Sequence, residues 1–411
     1  MFKLKLHWQV FIAMALGILF ALILGEKSTM VTPLGTIFMR LLKMIIVPLI
    51  IFSITSGVAS LGDSKTLGRM GAKTFGYYFL TSILAIITGL LLTNIIRPGV
   101  GVEFSGMGGD FDPASLNKPD SLAGILIRMI PLNPIKAAAD GDMLGIIFWS
   151  ILFGFSITRL SGKPQEFFTN FFEYGFKAMM KLTQGIIALL PIGVFGLITT
   201  AVANSGIDVF KAVGKYIITI FIGLSFHFLV ILPLVFFIFT KINPLKHWKA
   251  MASAFATAFS TSSSGATLPV TIDCIENNVG VSNRTTSFVL PLGATINMDG
   301  TALYECAGVL FISQALGIDL SISQQVVVVM TAFLASVGAA AVPSAGLVMI
   351  FIVLGAVGLG DHPGAGVIVG TMLAVDRPLD MYRTMVNVAS DSIGAVVVAK
   401  SEGESNLYPN N

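Results

Sequence analysis

The sequence predicts an all-α polytopic membrane protein, and three observations predict it. Hydrophobic residues make up 55% of the 411-residue chain and charged residues only 11%, with a mean hydropathy of +0.86, which excludes a soluble globule. Apolar segments recur at 7–25, 34–61, 71–96, 121–160 (broken), 168–202 and 207–240, and a chain of this length has room for roughly eight spans of ~20–30 residues. The last apolar helix carries Asp376, Asp380, Arg383, Thr384, Asn387 and Asp391, which at about 100° per residue fall within roughly 100° of arc. Each charge placed mid-bilayer costs about 2.5–3.5 kcal/mol, so this stripe faces a cavity rather than lipid.

The first element opens with a charged start and an apolar run but lacks a small-residue cleavage site, so it reads as an uncleaved first helix. Basic residues collect before it (Lys3, Lys5), after the second segment (Lys65, Arg69, Lys73), after the fourth (Arg159, Lys163) and after the sixth (Lys241, Lys246, Lys249). The intervening loops are poorer in base and include the long Gly- and Pro-rich 98–120 stretch with Glu103, Asp110 and Asp112. The positive-inside rule then puts both ends of a six-helix block in the cytoplasm and the 98–120 loop outside; Lys211 and Lys215 fit this less well. A net charge of +3 is too small to imply nucleic acid, and Cys274 and Cys306 lie in apolar surroundings that suit neither a disulfide framework nor a metal knuckle.

After residue 241 the pattern changes. Met251 to Val281 holds about 30 residues with Ser260-Thr261-Ser262-Ser263-Ser264-Gly265-Ala266-Thr267 and then Leu268-Pro269 at its middle. Two full crossings need ~40 apolar residues, so the segment predicts a hairpin that enters and leaves on one side. Helix 283–316 follows, with Asn297-Met298-Asp299-Gly300-Thr301 at its centre. A second hairpin spans about 325–357 with Gly338 to Gly346 at its tip, and the polar helix 364–400 comes last. Hairpin then polar helix, twice, is an inverted repeat, the sequence pointer to a midplane site; broken backbone at that depth is tolerated only where protein or a cavity satisfies it.

The stripe has two chemistries. Arg383 needs an anion, and its planar fork matches a carboxylate. Asp380, three residues earlier, either neutralises Arg383 or holds a ligand ammonium while Arg383 holds a ligand carboxylate; a ligand carrying both charges is an acidic amino acid. Its second carboxylate would meet the Ser262–Ser264 tip and Asn387. Asp299 and Asp391 lack cationic partners close in sequence and sit among oxygen-bearing groups, as a hard alkali cation requires; protonated or proton-carrying carboxylates are the alternative. Thr81 and Ser82, after Tyr77-Tyr78, are two hydroxyls able to complete a cation shell. His227 reads as a packed interface residue, Glu305 lies one turn past Thr301, and no base accompanies the Ser260–Ser264 run, which argues against an enzyme.

The stretches SSSGATLPVT (262–271), PLGATINMDGTALYE (291–305), ASVGAAAVPSAG (335–346) and DRPLDMYRTMVNVASD (376–391) resemble the dicarboxylate/amino acid:cation symporter family, which includes archaeal sodium–aspartate and mammalian excitatory amino-acid transporters. The resemblance covers essentially the whole chain. It implies eight transmembrane helices plus two re-entrant hairpins, a homotrimer in the plasma membrane (the prokaryotic inner membrane), cytoplasmic termini, and sodium ions co-transported with an acidic amino acid. A scaffold of residues 1–62 and 121–205 would hold a transport domain of 70–97 and 206–402 that moves like an elevator. The implied substrate pocket is Ser262, Ser264, Met298, Thr301, Val342, Gly346, Asp380, Arg383, Thr384 and Asn387. The implied sodium sites use Asp391, Asn387, Gly293 and Asn297; then Thr295, Ser336, Val337 and Ala339; then Tyr78, Thr81, Ser82, Asn297 and Asp299. The family's extra arginine, at the place of Ser262 or of Met381, is absent; Arg377 stands beside Asp376 and is the expected partner for it.

Overall fold

The structure is a computed structural model that describes residues 6–59, 65–101, 127, 129–205, 209–338 and 345–409. Among the described residues there is no strand, and the chain runs as helices: α1 (Leu6–Leu24), α2 (Thr32–Ala59), α3 (Lys65–Ile96), α4 (Pro134–Asp140), α5 (Met143–Thr158), α6 (Lys163–Ile187), α7 (Leu190–Ser205) and α8 (Val209–Phe226). Then come α9 (Leu232–Thr240), α10 (Pro244–Ala250), α11 (Ala252–Thr261), α12 (Ser264–Asp273), α13 (Asn283–Ile296), α14 (Asp299–Ala315), α15 (Ile322–Gly338), α16 (Ala345–Ala356) and α17 (Pro363–Ser401). The helical stretches Trp8–Ala59, Arg69–Ile96 and Val213–Thr240 are long and apolar enough to cross a bilayer. The chain is therefore an α-helical membrane protein.

The apolar segment 168–202 is two helices rather than one. α6 and α7 meet at a 52° bend, because Pro191 lacks an N–H and its ring crowds the preceding turn, so helix stops just before Leu190-Pro191. The segment 207–240 keeps its direction but carries a π turn at His227–Ile231 ahead of Pro233. The extra residue in that turn absorbs the missing proline donor and turns His227 inward, where it is fully buried.

The first hairpin and the pair α13 and α14 sit around α17, and the second hairpin packs on α14. α17 packs against α11, α13, α14 and α7, while α3 lies along α14 and α2 along α5, α6 and α7. In the first hairpin Ser262 closes α11 in the left-handed region (φ 52°), and Ser263 caps α12 by accepting from the Ala266 N–H at 3.2 Å. The helix expected over 283–316 breaks at Asn297-Met298: Asn297 is extended (φ −95°, ψ 90°), α13 ends and α14 restarts at Asp299. The break leaves the last carbonyls of α13 without helical donors.

Residues 402–409 strap one end of this assembly. Glu402 accepts from Arg69 at 2.5 Å and Lys73 at 2.6 Å, and these bonds, that of Arg69 foremost, hold its carboxyl down to about 2. Glu404 accepts from the Ser282 N–H and hydroxyl and from the Thr285 hydroxyl at 2.7–2.8 Å, at the start of α13. The Tyr408 hydroxyl and the His247 ring share a 2.7 Å bond, and His247 reaches Ser392 at 2.9 Å.

Candidate functional site

The stripe of α17 faces inward along its length: Asp376, Asp380, Arg383, Thr384, Asn387 and Asp391 are each buried. It meets the broken segment of α13 and α14 on one side and α3 on the other, and two polar clusters result.

The first cluster is centred on Arg383. Its Nη2 donates to Asp380 at 2.8 Å and to Asp376 at 3.4 Å, and the guanidinium lies 3.8 Å from the centre of the Tyr304 ring. Nε and Nη1 of Arg383 are buried and have no hydrogen-bond partner among the described residues. Gly346, at the start of α16, lies against this group: a Cβ there would sit 2.7 Å from Nη1 and 3.4 Å from Thr301 Cγ2. Only a glycine lets the second hairpin approach so closely. Asn387 completes the floor, accepting from the Gly300 N–H at 2.8 Å and donating to the Thr301 hydroxyl at 3.3 Å. Thr384 donates to the Asp380 carbonyl at 2.9 Å. Asp380 does neutralise part of Arg383, and the remaining N–H groups are what an incoming carboxylate would meet.

The second cluster is centred on Asp299 and Asp391. Asp299 Oδ1 accepts from Ser82 at 2.7 Å and from Thr81 at 3.4 Å. The Asn297 amide donates to Asp391 and to Ser390, both at 2.9 Å, while Asn297 Oδ1 stays buried with no partner among the described residues. The Tyr78 hydroxyl donates to the Val289 carbonyl at 2.8 Å beside Gly293, whose backbone stands against Asp391. Two carboxylates, hydroxyls, an amide oxygen and the open carbonyls at the end of α13 form an oxygen-rich environment suited to hard cations.

Two expectations change. Arg377 does not pair with Asp376; it points at Asp380, 3.6 Å away, and Asp376 is held by Arg383, because residues seven apart stack along one face of a helix. His227 is no mere packing residue: its Nε2 lies 3.2 Å from Asp299 Oδ2, with both side chains fully buried. Asp299 therefore has an imidazole partner, one that is far away in sequence. Glu305 is buried next to Tyr304, and neither of its carboxyl oxygens has a partner among the described residues.

Of the other residues expected at the site, Ser262, Ser264 and Met298 are buried, the Ser262 hydroxyl without a partner among the described residues. Thr295 and Ser336 bond within their own helices, to Leu292 and Phe333, and Val337 is half-buried at the end of α15. Ala339 and Val342 lie outside the described residues. Sequence reasoning missed Tyr304 as the ring beneath Arg383 and Ser390 as a partner of Asn297 and Thr81. Ser390 could have been found, since it lies seven residues past Arg383 on the same face.

Fold and site together define a polytopic membrane protein that buries ion pairs and oxygen ligands among broken helices, the build of a secondary transporter. The profile of the sodium:dicarboxylate symporter family matches residues 6–401, and the chain belongs to that family. It is 36% identical to the proton/sodium-glutamate symport protein of Geobacillus stearothermophilus, over 98% of this chain and 96% of that protein. It is 36% identical to excitatory amino acid transporter 3 of Homo sapiens (94% and 84% covered) and 35% identical to the proton/glutamate-aspartate symporter of Escherichia coli K12 (97% and 93%). The family is one of transporters, not of enzymes.

Proposed function

We propose that this chain is a secondary active symporter that imports aspartate or glutamate with sodium ions. The observation that carries this reading is the buried Arg383, whose Nε and Nη1 have no hydrogen-bond partner among the described residues while Asp380 stands 2.8 Å from Nη2. An acidic amino acid offers a carboxylate to the free N–H groups and an ammonium to Asp380. Thr384, Asn387, Thr301, Met298, Gly346, Val342, Ser262 and Ser264 complete its pocket. Sodium ions, as co-transported cargo, would take the oxygens of Asp299, Asp391, Asn297, Asn387, Tyr78, Thr81 and Ser82, the carbonyls around Gly293 and Thr295, and those of Ser336, Val337 and Ala339.

The reading extends to the whole architecture: eight crossings, two re-entrant hairpins, a homotrimer and cytoplasmic termini. Residues 1–62 and 121–205 form the scaffold, and 70–97 and 206–402 form the moving body. Substrate and ions must close the second hairpin together, since a hairpin closing on sodium alone would leak the gradient. Gly346 against Arg383 supports this, because a carboxylate on Arg383 touches the start of α16 in that hairpin.

The test is radiolabelled aspartate uptake into proteoliposomes under a sodium gradient or a proton gradient. Accumulation is expected with sodium, and Arg383→Cys is expected to abolish it while admitting small neutral amino acids. Uptake sustained by protons alone would overturn the sodium coupling, and wild-type aspartate uptake by Arg383→Cys would overturn the pocket.

A further inference from the structure

Away from both clusters, a cavity of about 220 Å³ opens between α3, α9 and α17, walled by Lys73, Gly76, Tyr77, Leu80, Phe239 and Val397. Its surroundings face outward: Phe79, Phe237, Ile238 and Phe239 are all exposed, as a lipid-contacting belt is. Its walls are apolar except at the end where Lys73 stands. There Lys73 stands in the wall, and Arg69 shares its acid, Glu402. Lys73 gives Ser401 and Glu402 two of its three N–H groups, and Arg69 gives Glu402 bonds from one nitrogen, so donors remain for an anion.

We propose that this cavity binds one acyl chain of an anionic phospholipid from the surrounding leaflet, with the phosphate at the basic rim. An apolar slot open to the bilayer takes the chain, and two bases, Lys73 and Arg69, against the one acid they share take the head. The occupant touches the ring of Tyr77, whose hydroxyl donates to the Ser390 carbonyl at 3.1 Å and whose edge lies 5.9 Å, centre to centre, from the Tyr78 ring. Tyr78 in turn stands over Gly293 and Asp391. A bound lipid thus braces the wall of the second cluster and tightens its hold on cations. That last step rests on the sodium reading; occupancy of the cavity does not.

A Cβ at Gly76 meets nothing within 4 Å, so a side chain can start from this wall of the cavity, and Gly76→Phe is the variant chosen to fill it. Delipidated protein is incubated with phosphatidylglycerol, phosphatidylcholine or oleate, and bound molecules are counted by native mass spectrometry. Wild type is expected to retain phosphatidylglycerol and Gly76→Phe to lose it; Gly76→Leu repeats the test should the larger ring lower the melting temperature. In proteoliposomes, phosphatidylglycerol is expected to lower the sodium half-saturation of wild type by about fivefold and to leave that of Gly76→Phe unchanged. Equal retention by the variant, equal retention of phosphatidylcholine, or preference for oleate overturns the site. Loss of lipid with no sodium shift in wild type overturns the coupling alone.

Discussion

Replacing Gly293 with alanine places a Cβ 2.5 Å from the Tyr78 hydroxyl and 2.6 Å from Asp391 Oδ1. Ordinary contact begins at 3.4 Å, so each oxygen must retreat by about 0.8–0.9 Å. Such a retreat stretches the 2.8 Å bond from Tyr78 to the Val289 carbonyl beyond reach. A buried hydroxyl left without its partner costs about 1–3 kcal/mol, and the overpacking adds about 1–3 kcal/mol. Cation–oxygen distances tolerate only about 0.2 Å, so the displaced Asp391 no longer fits the ion it would hold. The expected result is a loss of at least about 2 kcal/mol in sodium binding, roughly thirtyfold in half-saturation. A sodium titration of aspartate uptake in proteoliposomes measures it. Gly185→Ala, where a Cβ meets nothing within 4 Å, is the control and should titrate like wild type. A Gly293→Ala protein with wild-type sodium dependence would refute the assignment of this cluster to cations.

Other perturbations test neighbouring parts of the argument. His227→Phe removes a partner of buried Asp299, and the variant should lose about 1–3 kcal/mol of stability, recovered by sodium, which binds the folded state only; thermal melts with and without sodium decide this, and a melting temperature indifferent to the ion counts against it. Lys43 of α2 donates to the Gly360 carbonyl at 2.6 Å and to Asp361 at 3.2 Å, just before α17. As a half-exposed pair it contributes under about 1 kcal/mol, yet if α2 is fixed and α17 moves, Lys43→Met should speed turnover; an unchanged single-cycle rate would place both helices in one body.

Burial lowers His247 to about 3 from its usual 6.5. Between those values the unfolded chain binds a proton that the folded chain does not. The stability is whole above 6.5 and falls, by at most about 1.4 kcal/mol per pH unit, as pH drops toward 3. His247→Gln should flatten this acid slope, and parallel slopes would sink the reasoning.

What could be read from residues alone was whatever depends on local order. Hydropathy and period placed the helices and the Ser-rich segment marked the first hairpin, whereas the break at Asn297-Met298 interrupts what reads in sequence as one helix over 283–316. The inward stripe on α17 was legible because angular position on a helix is a property of spacing. The family resemblance put Thr81 and Ser82 with Asp299, and Asn297 with both Asp299 and Asp391; in the structure Thr81 and Ser82 bond to Asp299 and Asn297 bonds to Asp391.

Tertiary structure decided which faces meet. His227 lies 72 residues from Asp299, and nothing in the period of an apolar helix says that a π turn will aim one imidazole at one carboxylate. Arg377 and Arg383 are equally basic on paper, but only Arg383 lies over the Tyr304 ring and between two acids. The bend between α6 and α7, the strap of Glu402, Glu404 and Tyr408, and the basic-rimmed cavity beside Tyr77 belong to the same class. Periodicity states which side of a helix is polar; the partner across the gap is chosen by how all the helices pack at once, and that choice is long-range.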